Sequence, residues 1–128
     1  MYTSWWLKTA ISKQLKELGL SSEQYNVLRI LKGKHPERMC IKDIGSRMIE
    51  RNSNVPRIID RLVSKSLVDR ANSHLDKRET VISLTSAGID ILLDATRKID
   101  SLFANSLVLD EASAKQLNQL LESFRAGE

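Results

Sequence analysis

The chain has 128 residues, of which 41% are hydrophobic, 28% charged and 5% aromatic, a composition typical of one ordered, mostly helical domain and not of a disordered or fibrous chain. No apolar run approaches the roughly 20 residues of a membrane span, and residues 1–10 lack the basic start and apolar stretch of a secretory signal, so we expect a cytoplasmic protein without membrane contact. The net charge is +4, and the single cysteine, Cys40, excludes an internal disulfide framework and a cysteine-rich zinc site.

Charge is unevenly distributed along the chain. Residues 29–78 carry thirteen Lys and Arg against six Asp and Glu, whereas residues 79–128 carry four against eight. A basic middle beside an acidic end is typical of a surface that binds a polyanion such as nucleic acid. A solvated surface of uneven composition would give the same counts, so charge alone does not decide between the two.

The first third of the chain predicts two helices. Apolar residues recur at helical spacing through Trp5–Leu18, and Gly19 ends this first helix. Ser21 and Gln24 then have the spacing of a capping box, which marks the start of a second helix. We expect that helix to end at Gly33.

A short third helix is predicted next. Met39–Cys40 is long enough only for a stub of strand, and Cys40 then caps a helix that runs from Ile41 to about Met48. Gly45 inside it lowers the helix propensity, which suggests that another helix crosses closely there.

A fourth helix is predicted as far as about Lys65. Its apolar residues recur with a period near 3.6, at Val55, Ile58, Ile59, Leu62 and Val63. Pro56 is tolerated only in the first turn, where its missing N–H is not needed. This restriction favours Ser53 over Asn52 as the cap of the helix.

The hydrophobic period then changes from helical to alternating. Leu67–Arg70 and Thr80–Leu84 predict the two strands of a hairpin, joined by the polar, basic turn Asn72–Arg78. Two further helices follow, the first capped by Thr85 and the second starting at Asp110.

Two helices across a tight turn, followed by a hairpin with a basic tip, are typical of a winged helix-turn-helix domain. The predicted fold class is therefore mainly α with a small β-hairpin. In such a domain the second of the two helices, here Ser53 to Lys65, lies in the major groove of DNA. Asn54, Arg57 and Arg61 on its exposed side, together with Ser53, are candidate contacts, because Asn pairs with adenine, Arg with guanine, and Ser with either a base or a phosphate.

Three segments also match a known family pattern. Residues 20–31 are similar to a second helix, residues 53–62 to a recognition helix, and Asp76-Lys77-Arg78 followed by residues 81–88 to a wing motif that leads into a leucine-threonine-x-x-glycine helix start. On these segments the chain resembles the MarR family of bacterial winged-helix transcription regulators, over nearly its whole length.

The resemblance implies an organisation and a function. Residues 1–128 would form one domain, with a DNA-binding part at about 21–84 and dimerisation helices at about 1–20 and 85–128. Family members are homodimers that bind pseudo-palindromic operators in double-stranded DNA, and most repress and release DNA when a small molecule or an oxidant acts. The resemblance implies no cofactor.

The resemblance also assigns roles to residues. Arg78 would enter the minor groove, Asp76 would hold the wing in shape, and Lys77 lies between them in the wing. Asn54 and Arg57 would make major-groove and phosphate contacts. A narrow A·T-rich minor groove has an enhanced negative potential, which favours an arginine at the wing tip.

A small lipophilic or aromatic effector would bind near Trp6, Tyr25 and the start of the fifth helix, although Trp6 could instead pack at a dimer interface.

The chain departs from the family pattern at Ser66, where the family usually has glycine, and at Pro56, where Ser or Thr is more usual.

Other readings of single residues remain open. Cys40 is either a half-buried helix cap or a peroxide sensor, and its position favours the cap because the family's sensing thiol lies in the first helix. His35 and His74 lie in separate loops without metal-ligand spacing.

The chain shows no catalytic pattern: it has no glycine-rich phosphate loop and no nucleophile elbow. The alternative function is a winged helix that binds protein or structured RNA and has no DNA operator of its own. A polar, basic recognition helix favours DNA over that alternative.

Overall fold

A computed structural model describes residues 2–51, 53–106 and 109–127. The elements follow in the order α1 (Tyr2–Glu17), α2 (Ser22–Lys34), β1 (Met39–Cys40), α3 (Ile41–Arg47), α4 (Val55–Ser64), β2 (Val68–Asn72), β3 (Thr80–Leu84), α5 (Ser86–Ser106) and α6 (Glu111–Arg125). The predicted class, mainly helical with a small hairpin in winged helix-turn-helix order, is confirmed. Among the described helices, none combines the length and the apolarity needed to cross a membrane.

The sheet has three antiparallel strands in the order β1-β3-β2. The predicted stub of strand is confirmed as β1, which pairs Met39 with Ile82 on β3. Strand β2 starts one residue later than predicted and continues to Asn72, which pairs with Thr80. Its length follows from the backbone pairing with β3, which continues past the apolar residues that guided the prediction.

Local side-chain caps fix most of the helix starts. The predicted capping box of α2 is confirmed: Ser21 Oγ accepts the N–H of Gln24 at 3.1 Å, and Gln24 Oε1 accepts the N–H of Ser21 at 3.2 Å. Cys40 caps α3 and Thr85 Oγ1 accepts the N–H of Gly88 at 3.0 Å, both as predicted. Helix α2 passes through Gly33 to Lys34, one residue beyond the predicted end.

The cap of α4 differs from the prediction. Asn54, not Ser53, caps this helix, because Asn54 Oδ1 accepts the N–H of Arg57 at 3.3 Å. The helix begins at Val55, so Pro56 occupies the second helical position, where its missing N–H is still not required. The restriction of Pro56 to the first turn of α4 therefore holds, but it is also met when the cap is Asn54, one residue after Ser53.

The hydrophobic core lies between α2, α4, the sheet and the inner faces of α1, α3 and α5. Its largest fully buried side chains are Leu15, Leu28, Leu31, Ile44, Ile59, Leu62 and Ile82. The close approach predicted at Gly45 is present, since a Cβ there would lie 3.5 Å from Val55 Cγ2 on α4. A tighter approach occurs at Gly88, where a Cβ would lie 2.0 Å from the carbonyl oxygen of Leu67, so the start of α5 requires glycine.

Two helices end in the same kind of turn with different residues. Gly19 after α1 has φ +71°, and Ser66 after α4 has φ +59°. In each turn the N–H of the next residue, a leucine, bonds at 3.0 Å to a leucine carbonyl five residues earlier, as in a Schellman motif. Ser66 thus occupies a left-handed conformation that suits glycine better.

Helix α6 carries a large apolar surface. Asp110 caps it, with Oδ1 accepting the N–H of Ser113 at 2.7 Å, as predicted for its start. None of its residues is buried, and Phe124 is 85% exposed. The other exposed apolar side chains in and beside this helix are Leu109, Leu117, Leu120 and Leu121.

Candidate nucleic-acid interface

Helix α4 separates its apolar and polar residues onto two faces. Val55, Ile58, Ile59 and Leu62 are buried in the core, and the exposed positions include Asn54, Arg57, Asp60 and Arg61. Within the described part of the chain, neither arginine has an ion-pair partner, so both guanidinium groups are available to an anionic ligand.

Asn54 has a structural role that limits what it can bind. Its side-chain oxygen caps α4 through the N–H of Arg57, while its amide NH2 has no partner among the described residues. Bidentate pairing with adenine needs both the oxygen and the NH2. In this conformation Asn54 is therefore suited to donate a single hydrogen bond to a phosphate or a base acceptor.

Ser53 is half-buried and points its hydroxyl away from α4. Ser53 Oγ donates to Glu23 Oε1 on α2 at 3.2 Å. This contact fastens the chain just before the recognition helix to the body of the domain, a role that the sequence did not reveal because the two residues are 30 positions apart.

The turn of the hairpin is held by its own side chains. Asp76 Oδ1 accepts the N–H of Arg78 at 2.9 Å. Ser73 Oγ accepts the N–H groups of Leu75 at 3.2 Å and of Asp76 at 3.5 Å. These contacts leave the side chains of Lys77 and Arg78 exposed. Asp76 therefore holds the turn before Arg78, and Ser73 assists in a way that the sequence analysis missed; a Ser at the start of a polar turn is the signal that pointed to it.

The hairpin and the recognition helix are joined directly. Strand β2 packs against α4, and Arg70 on β2 forms an ion pair with Asp60 on α4. The exposed arginines of α4 and the basic wing therefore belong to one connected unit.

A cavity of about 300 Å3 lies behind this unit, between α1, α2, α5 and the turn that follows α3. Its apolar lining includes Ile11, Ile99 and Phe103. Tyr25 lines the cavity; its hydroxyl lies 3.2 Å from Thr96 Oγ1, and the guanidinium of Arg29 lies 5.8 Å from the centre of its ring.

The predicted effector position is only partly matched by this cavity. Trp6 does not line it and is 41% exposed on α1. The residues from α5 come from its second half, Ile99 and Phe103, and not from its start. Periodicity placed Trp6 on the same helix as Ile11, but it does not fix which side of α1 faces the cavity.

The thiol of Cys40 caps α3 and is half-buried. Its sulfur accepts the N–H of Asp43 at 3.4 Å, as a cap. That backbone hydrogen bond stabilises the thiolate, but burial and the carboxylates of Asp43 and Glu79 together outweigh it and raise the pKa of Cys40. A raised pKa keeps the thiol protonated and slow to react with oxidants. In the described part of the chain, no three His, Cys, Asp or Glu side chains are grouped as metal ligands.

The helix pair α3–α4, with a three-stranded sheet whose hairpin forms a wing beside α4, defines a winged helix-turn-helix protein. The model of the MarR family matches residues 20–80. Together with the relatives and the solved structure described next, this match shows that the chain is similar to the MarR family. The two relatives described next are both transcription regulators.

The similarity to known proteins extends beyond the segment that the family model matches. The HTH-type transcriptional regulator MhqR of Bacillus subtilis is 27% identical over 118 residues, which cover 88% of this chain and 77% of MhqR. The HTH-type transcriptional repressor IacR of Pseudomonas putida is 29% identical over 113 residues, which cover 88% of this chain and 66% of IacR. A crystal structure of a MarR mutant from E. coli complexed with operator DNA superposes with a TM-score of 0.80 at 21% identity, and covers 94% of this chain and 86% of MarR.

Proposed function

We propose that the chain binds a pseudo-palindromic operator in double-stranded DNA as a homodimer and represses transcription. The observation that carries this proposal is the connected surface formed by the exposed arginines of α4 and the basic wing, joined through Asp60 and Arg70. The repressor role is supported by the similarity to IacR, a named repressor.

Each part of this surface has a proposed contact. Arg57 and Arg61 reach bases and phosphates in the major groove, and Asn54 donates one hydrogen bond there. Arg78 enters the neighbouring minor groove and Lys77 contacts the adjacent backbone. Residues 21–84 thus form the DNA-binding part of the single domain.

The polar character of α4 supports DNA over a protein partner. A winged helix that docks on protein would expose apolar side chains on this helix, and large apolar exposed side chains mark such surfaces. All large apolar residues of α4 are instead turned toward the core, and Arg57, Asp60 and Arg61 are exposed. Structured RNA remains an outcome that the experiment below separates.

The apolar surface of α6 supports the homodimer. Leu117, Leu120, Leu121 and Phe124 are exposed in a single chain, and contiguous apolar surface of this kind usually covers an interface. At the other end of the chain, Trp5 on α1 is 61% exposed, so both terminal regions present apolar side chains to a second copy. A two-fold pair of α4 helices would read half-sites about one DNA turn apart.

The cavity beside Tyr25 supports a small-molecule effector. Its lining is mostly apolar, and the charges of Lys8 and Arg29 are matched by those of Glu23 and Glu50, which also line it. This chemistry suits a compact aromatic or lipophilic molecule. Such a ligand lowers DNA affinity only if it binds the DNA-free conformation more tightly.

Selection of bound sequences from random duplex DNA tests the proposed function. We expect the purified chain to enrich a pseudo-palindrome with half-sites roughly 10 bp apart, and the affinity to fall steeply as salt is raised. Equal binding to unrelated duplexes and to structured RNA would contradict sequence-specific DNA binding. For the homodimer, Leu121→Asp should reduce the mass measured by light scattering to that of a single chain, whereas the matched control Asn118→Asp should not.

A further inference from the structure

The turn between α3 and α4, described at residues 48–51 and 53–54, is fastened to the rest of the domain by three side chains. Asn26 Oδ1 on α2 accepts the N–H of Ile49 at 3.0 Å. Lys8 Nζ on α1 donates to Glu50 Oε1 at 2.9 Å. The third contact is the hydrogen bond from Ser53 Oγ to Glu23. We call these three interactions the turn contacts.

The turn contacts lie at the wall of the cavity beside Tyr25. Lys8, Glu23, Asn26, Ile49 and Glu50 all line it. Five of the six residues that make the turn contacts are therefore within reach of a molecule in the cavity, and only Ser53 is not among them. Among the described lining residues, none belongs to α4 itself.

The turn leads directly into the recognition helix. Asn54, its last residue, caps α4, and Arg57 donates the N–H that the cap accepts. A shift of the turn therefore moves the first turn of α4, where two of the proposed DNA contacts are. The individual turn contacts are exposed or half-buried hydrogen bonds, each weak enough for a bound ligand to replace.

We propose that Asn26, Glu23 and Lys8 are positioning residues that transmit occupancy of the cavity to α4 through the turn contacts. This inference rests on the proposed DNA-binding function. A ligand that displaces the turn contacts favours a released turn, and DNA favours the fastened one. The two ligands then oppose each other, and by linkage each weakens the other by the same factor.

Ser53→Ala separates this route from a direct effect on the ligand, because it removes a turn contact by changing a residue that does not itself line the cavity. Ser64→Ala is the matched control, since Ser64 Oγ donates only to the carbonyl of Arg61 within α4. The probe is anilinonaphthalene sulfonate, an aromatic dye with one anionic group that fluoresces in apolar sites. The duplex is the one selected by the parent chain.

The measured quantity is the ratio of DNA dissociation constants with and without saturating dye. We expect a ratio of about 5 or more in the parent and in Ser64→Ala, within the usual range of coupling between two sites. In Ser53→Ala the DNA affinity without dye should fall, and the ratio should be smaller than in the parent because one of the three turn contacts is already absent. Dye should also speed hydrogen exchange at the Ile49 amide in the absence of DNA, a readout that a general loss of stability would not confine to this residue.

The possible results are distinct. An equal ratio in Ser53→Ala and the parent, or dye that binds without changing either DNA affinity or exchange at Ile49, would overturn the inference while leaving DNA binding intact. Absence of dye binding to the parent would exclude the cavity as the ligand site and overturn it as well. If the parent binds no duplex selectively, the proposed function itself fails, and this inference fails with it.

Discussion

The carboxylate of Asp60 on α4 pairs with the guanidinium of Arg70 on β2, and this ion pair connects the recognition helix to the wing. The two side chains are ten positions apart and both are substantially exposed. Such a pair adds little stability, so its main effect is on the orientation of the two surfaces that are proposed to contact one DNA duplex at the same time.

We expect breaking this pair to affect DNA selection more than stability. A double-mutant cycle with Asp60→Ala and Arg70→Ala should give a coupling of at most about 1 kcal/mol in urea unfolding. In Asp60→Ala, the loss of a negative charge should strengthen binding to random duplex, while the preference for the selected operator should fall. An unchanged preference would show that the wing keeps its orientation without the pair.

Arg78→Ala should weaken binding to operator and random duplex alike, because Arg78 is proposed to recognise groove shape and potential. The slope of log affinity against log salt should decrease by about one for each wing. Arg97→Ala is the control, since it removes an exposed cation that lies on α5, away from the wing. Parent-like binding of Arg78→Ala at every salt concentration would rule out the wing as a DNA contact.

Substitutions of Asp76 distinguish shape from charge. Asp76→Ala removes the acceptor for the N–H of Arg78, so DNA affinity should fall even though a negative charge near the phosphates is lost. Asp76→Asn keeps an acceptor oxygen and should bind at least as tightly as the parent chain. Titration of labelled operator with both variants measures the effect, and tighter binding by Asp76→Ala would mean that only the charge matters.

Asn54 should show two separable effects. Asn54→Ala removes the cap of α4 and should cost about 1 kcal/mol in the free energy of unfolding, whereas Asn54→Ser keeps a capping oxygen and should cost little. Both variants lack the amide NH2, so both should lose about 1 kcal/mol of discrimination at one operator position if the single hydrogen bond from this group reaches a base. Denaturant unfolding and binding to operators with single base changes measure the two effects. Retained affinity and discrimination in Asn54→Ser would limit Asn54 to the cap.

Ser66→Gly should stabilise the chain. Relief of the left-handed conformation is worth roughly 1 to 2 kcal/mol, and the greater freedom of glycine in the unfolded chain offsets about 0.4 to 1 kcal/mol of it. The net gain should be about 1 kcal/mol, measured as a higher urea midpoint with an unchanged m-value. Gly19→Ala, in the matching turn after α1, should move the midpoint in the opposite direction. Equal stability of Ser66→Gly and the parent would show that Ser66 is not strained.

Local interactions explain why so much of the fold could be predicted from the sequence. The caps by Ser21, Cys40, Thr85 and Asp110 each act on an N–H three residues ahead, so the spacing alone is enough to find them. The cap of α4 was misplaced because Ser53 and Asn54 are adjacent, and both residue types cap well. Only the contact of Ser53 with distant Glu23 separates them.

Contacts between distant segments set the limit of prediction for the candidate site. The candidate DNA contacts on α4 could be named from the order of elements, whereas those in the wing, Asp76, Lys77 and Arg78, were named from the resemblance to a family pattern. The Asp60–Arg70 pair and the turn contacts join residues on different elements, and no periodicity encodes them. That Trp6 lies outside the cavity could not be predicted for the same reason, because the cavity is defined by how α1, α2 and α5 pack.

The exposed apolar side of helix α6 makes the folding of this helix depend on the concentration of the protein. An isolated helix of 15 residues is marginal in water, and the described contacts of α6 include its cap and the local ion pairs of Lys115 with Glu111 and Arg125 with Glu122. If a second copy covers its apolar side, the order of this helix depends on mass action. Dilution would then loosen the C-terminal helix and separate the two recognition helices of the pair at the same time. Repression would therefore fall more steeply than in proportion to the number of copies in the cell.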